Sequence, residues 1–257
     1  VKNLENNGVS NVFVPSSRDY DLRNVDNCKK VVEMTDKQWG YCGDIAPQHW
    51  KQLGVLDESR GGQQSPIDLP DQIPLHTEGL LVHYKPSHCG LINTGHTVEV
   101  YTRESNYIEL DGERYDFVQL HFHAPSEHTR VGRQYAVECH FVHANAQRGS
   151  AVLAVLLEKG ERSTFFDTFF ANLPQEPGQE HSLEEVVDFE ALLPTHQEFC
   201  RYTGSLTTPP CSEGVEWIIM RQPMQVKGAS LAMFTRLYSG NSRPLQPLCN
   251  HMSDTFK

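Results

Sequence analysis

The chain has 257 residues and a formal net charge of −11, with 38% hydrophobic and 21% charged residues. This composition is typical of a globular protein, and the length fits one large domain. The negative charge argues against nucleic-acid binding and against docking on an anionic membrane, because both depend on Lys and Arg. No apolar run of about 18 residues occurs, so no transmembrane helix is expected.

The N-terminal residues 1–36 are polar and show no sustained periodicity, so we predict an extension that lies on the surface. Residues 37–257 are predicted to form one domain, beginning where aromatic residues appear at Trp39 and Tyr41. The chain begins at Val1 without an apolar signal core, as expected of a mature chain whose targeting segment has been removed, or of a trimmed one.

Strand signals dominate the rest of the chain. Runs rich in β-branched and aromatic residues, bounded by turn residues, predict strands at 97–101, 117–123, 135–142, 151–157 and 215–220. The run 151–157 is continuously apolar, which favours a strand buried on both faces. Helical patterns are sparse, at 164–172 and at 230–239, where Ser230 is the expected N-cap. The sequence therefore predicts a single, mainly β domain.

Two of the predicted strands carry histidines at alternating positions. Because successive side chains of a strand point to opposite faces, Gln119, His121 and His123 share one face of the first strand. Glu138 and His140 share one face of the second. If the two strands are neighbours, three imidazoles converge on one point, with Gln119 and Glu138 beside them.

This arrangement is typical of a catalytic zinc site, in which three neutral nitrogens leave a fourth position open. Gln119 and Glu138 are suited to hold the orientation of the rings. The alternative is that the histidines belong to an ordinary polar strand face. His143 is out of phase and is interpreted as structural, and His128 as a buried histidine with satisfied nitrogens.

Six segments in family order identify the chain as a member of the α-class carbonic anhydrase family, which it resembles over roughly 39–250. They are 64–68 (QSPID), 93–96 (NTGH), 119–129 (QLHFHAPSEHT), 138–143 (ECHFVH), 204–210 (GSLTTPP) and 243–247 (RPLQP). The resemblance implies a large, twisted, mostly antiparallel ten-stranded sheet with a few short peripheral helices. It also implies reversible hydration of carbon dioxide to bicarbonate and a proton, by attack of zinc-bound hydroxide.

The resemblance carries roles to individual residues. It implies that His121, His123 and His140 bind one zinc ion, that Gln119 and Glu138 orient them, and that Thr207 and Glu127 form a hydrogen-bond relay. It further implies proton export by His96, with Tyr41 in its water network. Carbon dioxide and bicarbonate would contact the remaining matched residues, which are Val142, Val152, Leu206, Thr208, Val215 and Trp217.

The seven cysteines keep an oxidising compartment open. Extracellular relatives often link a cysteine before the Gln-Ser-Pro segment to one after Thr-Thr-Pro-Pro. Cys211 has the second place, whereas the first has no cysteine, so the resemblance points to Cys42 more than Cys28 as its partner. We therefore expect an extracytoplasmic protein; the oligomeric state is open.

Three other functions are consistent with parts of this pattern. A binding or storage protein on the same fold would lose zinc-binding histidines, which this chain keeps. A zinc hydrolase acting on esters could use three histidines, but no ester-recognition motif occurs. A mineral-associated protein would carry Gly/Asn-rich or poly-acidic repeats, which the sequence lacks.

Overall fold

The computed structural model describes residues 38–56, 61–161 and 164–248, so the predicted extension 1–36 lies outside the described residues. The two α-helices of this part are α1 (Phe165–Ala171) and α2 (Gly228–Leu237), and short 3-10 helices span Gly43–Ile45, Pro47–His49 and Glu190–Leu192. The strands are β1 (Asp68–Leu69), β2 (Leu80–His83), β3 (Pro86–Asn93), β4 (Val98–Thr102), β5 (Tyr107–Leu110), β6 (Glu113–His123), β7 (Thr129–Arg130), β8 (Arg133–Gln134), β9 (Val137–Asn145), β10 (Gly149–Gly160), β11 (Glu180–Asp188), β12 (Phe199–Ser205), β13 (Glu213–Met220) and β14 (Met224–Lys227).

One large sheet organises the molecule. Its main order is β11-β3-β4-β6-β9-β10-β13-β12, with β5 joining β6 to β2, and β14 beside β10. Within this sheet all strand pairs are antiparallel except β10 with β13 and β10 with β14. Strands β1, β7 and β8 form a small separate sheet. The mainly β class predicted from the sequence is confirmed.

The described residues give the large sheet eleven strands, not the expected ten. The twelve-residue strand β10 pairs with β13 over Ala151–Ala154 and with β14 over Leu157–Gly160. Strands β13 and β14 lie one after the other along β10. They occupy one position across the width of the sheet but count as two strands.

Strand β10 is buried on both faces, as its apolar run predicts. Ala151, Leu153 and Val155 belong to the main core, which also contains the buried faces of both α-helices. Val152 and Ala154 belong to a second core on the opposite face of the sheet. The sheet therefore separates a large apolar side from the side that carries the histidines.

Both predicted helices are present. Helix α1 has Thr164 at its N-cap, and the Thr164 backbone N–H donates to Asp167 Oδ2 at 2.7 Å. The prediction that Ser230 caps the second helix is wrong, because α2 follows β14 directly with Lys227 at its N-cap, and Ser230 lies inside it. Among the described residues no helix is long and apolar enough to cross a bilayer.

Candidate metal centre

The three histidines meet because β6 and β9 are adjacent antiparallel strands. Their register pairs His121 with His140 and His123 with Glu138. Directly opposed residues point to the same face of a sheet. One ring nitrogen from each of His121, His123 and His140 lies within 4.8 Å of the other two, so the predicted convergence is confirmed.

The other nitrogen of each ring is held by an acceptor. Gln119 Oε1 accepts from His121 Nδ1 at 2.9 Å, and Glu138 Oε1 accepts from His140 Nε2 at 2.8 Å. The main-chain oxygen of Asn241 accepts from His123 Nδ1 at 2.7 Å. Each acceptor fixes the tautomer of its ring and leaves the inner nitrogen with a lone pair.

The inner nitrogen of His123 gives the clearest indication that this site suits a metal ion. His123 Nε2 is buried and has no hydrogen-bond partner within the described part of the chain. A buried polar atom without a partner is destabilising, so native proteins rarely keep one. One ring nitrogen each of His121 and His140 lies within 4.8 Å of this atom, and three nitrogens in this arrangement fit a metal ion that prefers nitrogen ligands, above all zinc.

Burial keeps two of these rings, those of His121 and His123, neutral. Burial holds the pKa of His121 well below its usual value, and the neighbouring His123 and His140 lower it further. Burial likewise lowers the pKa of His123. Burial alone would raise the pKa of Glu138, but His128 and His140 hold it well below its usual range. Neutral imidazoles are the form that binds metals.

A second group, His128, Glu138 and His140, also lies close together. However, Glu138 Oε1 accepts from His128 Nδ1 at 2.7 Å, and His128 Nε2 lies 2.6 Å from the Tyr202 hydroxyl. Tyr202 in turn contacts Ser65 Oγ at 2.8 Å. Because both nitrogens of His128 are occupied, this group is a structural network, as interpreted from the sequence.

His143 points away from the site, as strand parity predicts. Its Nε2 lies 2.7 Å from the Tyr84 hydroxyl, and its ring packs near Phe117. Burial lowers its pKa to about 3.

Glu127 lies close behind the histidines, with one oxygen open. Its Oε1 accepts from the backbone N–H of Arg243 at 2.8 Å. Its Oε2 is buried without a partner among the described residues. Thr207 is buried as well. No direct Thr207–Glu127 hydrogen bond occurs in the described residues, so the relay between them stays a prediction.

The expected carbon dioxide wall is one continuous apolar surface. Its residues are Val142, Val152, Val215 and Trp217, all buried, with Leu206 packed against them. The Trp217 ring centroid lies 4.9 Å from that of His140, so the surface reaches the histidines. Thr208 is half-buried in the same loop as Thr207.

His96 is half-buried in the turn before β4, and burial lowers its pKa. Its ring stacks on Trp39 at 4.0 Å with an interplanar angle of 6°. The Tyr41 ring lies 6.4 Å away. Burial raises the pKa of Tyr41 well above its usual value, and the Glu127 charge raises it further.

Sequence reasoning assigned no role to Asn241, Arg243 or Trp39. Asn241 holds His123 through its carbonyl, and its side chain donates to the main-chain oxygens of His96 and Phe122. The backbone N–H of Arg243 donates to Glu127 Oε1. The segment 243–247 was recognised as a motif, and its proximity to Asn241 was the available signal.

The predicted Cys42–Cys211 disulfide is wrong. Cys42 is an exposed free thiol, whereas Cys211 is buried against Trp50 and Val55. The side chains therefore lie in different environments and are not joined. Cys28, the other candidate partner, lies outside the described residues.

Comparison with known proteins identifies the family. The sequence profile of the eukaryotic-type carbonic anhydrases matches residues 45–256. A carbonic anhydrase of Klebsiella pneumoniae is 39% identical over 218 residues, covering 82% of this chain and 87% of the relative. Alpha carbonic anhydrase 7 of Arabidopsis thaliana is 35% identical over 232 residues, covering 86% and 81%. The solved structure of the α-carbonic anhydrase from Thermovibrio ammonificans with sulfanilamide matches with a TM-score of 0.77 at 38% identity, covering 82% of this chain and 96% of that one. The chain therefore belongs to the eukaryotic-type, or alpha, carbonic anhydrase family.

Proposed function

We propose that this carbonic anhydrase hydrates carbon dioxide at one zinc ion per chain, held by His121, His123 and His140. Family membership supports carbon dioxide hydration as the activity. The observation that carries the zinc assignment is the buried Nε2 of His123, which has no partner among the described residues and lies within 4.8 Å of nitrogens of two other histidines. When bound, zinc supplies Lewis acidity that ionises water near neutral pH, and carbonic anhydrase is itself the standard example of this effect.

The role of the apolar wall is to hold a substrate without charge or strong polarity. Carbon dioxide does not form strong hydrogen bonds, so it is bound through surface complementarity and the exclusion of water. Val142, Val152 and Trp217 supply buried apolar surface beside His140. Val215 and Leu206 complete this surface, and Thr208 is suited to contact bicarbonate at its rim.

The role of Thr207 and Glu127 is to orient the attacking nucleophile. The open Glu127 Oε2 can only accept a hydrogen bond while the carboxylate is ionised. A hydroxyl beside it must donate its single proton, so Thr207 Oγ1 is left to accept from the nucleophile. That acceptance selects one orientation of the nucleophile toward carbon dioxide.

The role of His96 is to move the released proton toward solvent. A half-buried imidazole whose pKa is lowered is neutral near pH 7 and can accept a proton there. Tyr41 lies close enough for its hydroxyl to order water near this ring. The stacked position of His96 on Trp39 gives the imidazole a defined place at the exit of this route.

A zinc assay tests the metal site. Purified protein should hold about one zinc per chain, and His140→Ala should lose both zinc and hydration activity. His143→Ala is the matched control, because it removes a histidine from the other face of the same strand and should retain zinc. Zinc retention by the first variant, or zinc loss by the second alone, would contradict the assignment.

A kinetic assay tests the relay. Thr207→Ala should lower carbon dioxide hydration by roughly 100-fold with zinc still bound, the scale expected for losing one positioned hydrogen bond. Thr207→Ser keeps the hydroxyl and should retain most activity. Equal rates for the alanine and serine variants would remove Thr207 from the mechanism.

Location is a further proposal. We infer an extracytoplasmic protein in which Cys28 pairs with Cys211, since the buried Cys211 directly follows the Thr207 loop. Such a crosslink would tie the N-terminal region to that loop.

A further inference from the structure

An acidic side chain faces the histidine cluster and plays no part in the function proposed above. Glu99 lies on β4, and the β4–β6 register pairs it with His121. Its neighbours Val98 and Val100 belong to the main core on the other face of the sheet, as does Leu120 beside His121. Glu99 and His121 therefore share the histidine face, with Cβ atoms about 5 Å apart.

Among the described residues, Glu99 has no hydrogen-bond or ion-pair partner of the kind that a partly buried carboxylate normally has. Burial raises its pKa, and no charge or hydrogen bond offsets that burial. Glu104, Glu138 and Glu213, the other carboxylates with a shifted pKa, all accept hydrogen bonds. Its side chain is half-buried, and its oxygens are not among the fully buried unpartnered atoms. The carboxylate is therefore partly desolvated and partly exposed, at the strand position beside His121.

We propose that Glu99 determines specificity at the three-histidine site by disfavouring anions near it. This inference rests on the proposed function. Carbon dioxide is neutral, whereas bicarbonate and competing inorganic anions are charged. A fixed negative charge in a partly desolvated cleft repels an approaching anion and leaves a neutral molecule unaffected. Glu99 thus favours release of the product and rejection of foreign anions.

The effect should be measurable without assaying hydration. The repulsion between two unit charges about 8 Å apart, at a dielectric constant between those of a protein surface and water, changes a dissociation constant about fivefold. The probe is thiocyanate, titrated into cobalt(II)-substituted protein at pH 8 and constant ionic strength, with the visible spectrum of the cobalt as readout. Glu99→Gln should bind thiocyanate about fivefold more tightly than the native protein. Glu99→Asp keeps the charge and should stay within about twofold of native.

The control variant is Glu190→Gln. Glu190 is exposed in the 3-10 helix Glu190–Leu192, whose Leu192 packs into the main core on the opposite face of the sheet. The Glu190→Gln variant removes the same charge away from the three-histidine site and should leave thiocyanate binding unchanged. Glu99→Met is a second neutral variant with a different shape, and it should reproduce the gain.

The results separate this inference from the function on which it rests. If native protein takes up cobalt and neither neutral variant at position 99 binds thiocyanate more tightly, the role of Glu99 is refuted. An equal gain from Glu190→Gln would also refute it, because net charge alone would then account for the effect. Failure of the native protein to give a histidine-bound cobalt spectrum would instead count against the three-histidine site itself.

Discussion

Replacing Glu138 by glutamine removes one charge and no volume at the centre of the site. The side chain is fully buried and accepts three hydrogen bonds, all from N–H donors. Oε2 accepts from the backbone N–H of His128 at 2.8 Å, and Oε1 accepts from His128 Nδ1 and His140 Nε2. A carboxylate can satisfy all three donors, but an amide has only one accepting oxygen.

Either orientation of the new amide leaves a conflict. With its oxygen toward the rings, the NH₂ group opposes the backbone N–H of His128, and one buried donor loses its partner. With its NH₂ toward the rings, the proton of His140 must move to Nδ1, the nitrogen needed for the metal. The first outcome costs about 1–3 kcal/mol of stability. The second weakens the metal site, and loss of such supporting contacts typically lowers metal affinity roughly 10–100-fold.

Two measurements test this reasoning. Urea unfolding of the metal-free protein reports the stability loss, and competition with a chelator reports the zinc affinity. Glu185→Gln is the matched control, since it removes one charge at an exposed position of β11. A Glu138→Gln protein that unfolds at the native urea concentration and binds zinc as tightly as native would refute the argument.

Three other predictions concern groups outside the three-histidine site. His96→Ala should slow turnover in dilute buffer and recover in concentrated imidazole, because only proton export is impaired; kinetics without such rescue would point to another exit route. His143 has a folded-state pKa of about 3, so the unfolded chain binds its proton first, and metal-free protein should lose stability as the pH falls from about 6.5 toward 3. His143→Gln retains a polar partner for Tyr84 but does not titrate, so its urea midpoint should fall less between pH 7 and pH 4. A peptide map without reductant should join a Cys211 peptide to one containing Cys28, a crosslink worth about 5 kcal/mol on the loop-entropy model; free alkylation of Cys211 would contradict it.

Much of the site was predictable because strand alternation is a local property. The side chains at 119, 121 and 123 must share a face once 117–123 is a strand, and His143 must oppose His140. The same reasoning predicted the doubly buried β10, since its apolar run has no polar side to expose. Burial of His128 with both nitrogens satisfied was likewise expected.

Boundaries and pairings that depend on neighbours were less predictable. Ser230 has the chemistry of an N-cap, but β14 runs directly into α2 and starts the helix earlier. Cys42 and Cys211 suit a disulfide by order along the chain, yet their side chains lie in different environments. Short strands such as β14 depend on the long strand beside them, so their number could not be counted from the sequence.

By itself the sequence determined the family, the mainly β fold and the three histidines with their shared faces, because these follow from local spacing and ordered motifs. Only the tertiary structure decided that β6 and β9 are neighbours in a register that pairs His121 with His140. It alone brought the Asn241 carbonyl to His123 across 118 residues, the Arg243 N–H to Glu127 across 116, and Trp39 against His96. The physical reason is that hydrogen bonds and stacking act over a few ångströms in space, and no local pattern records which distant segments the folded sheet brings within that range.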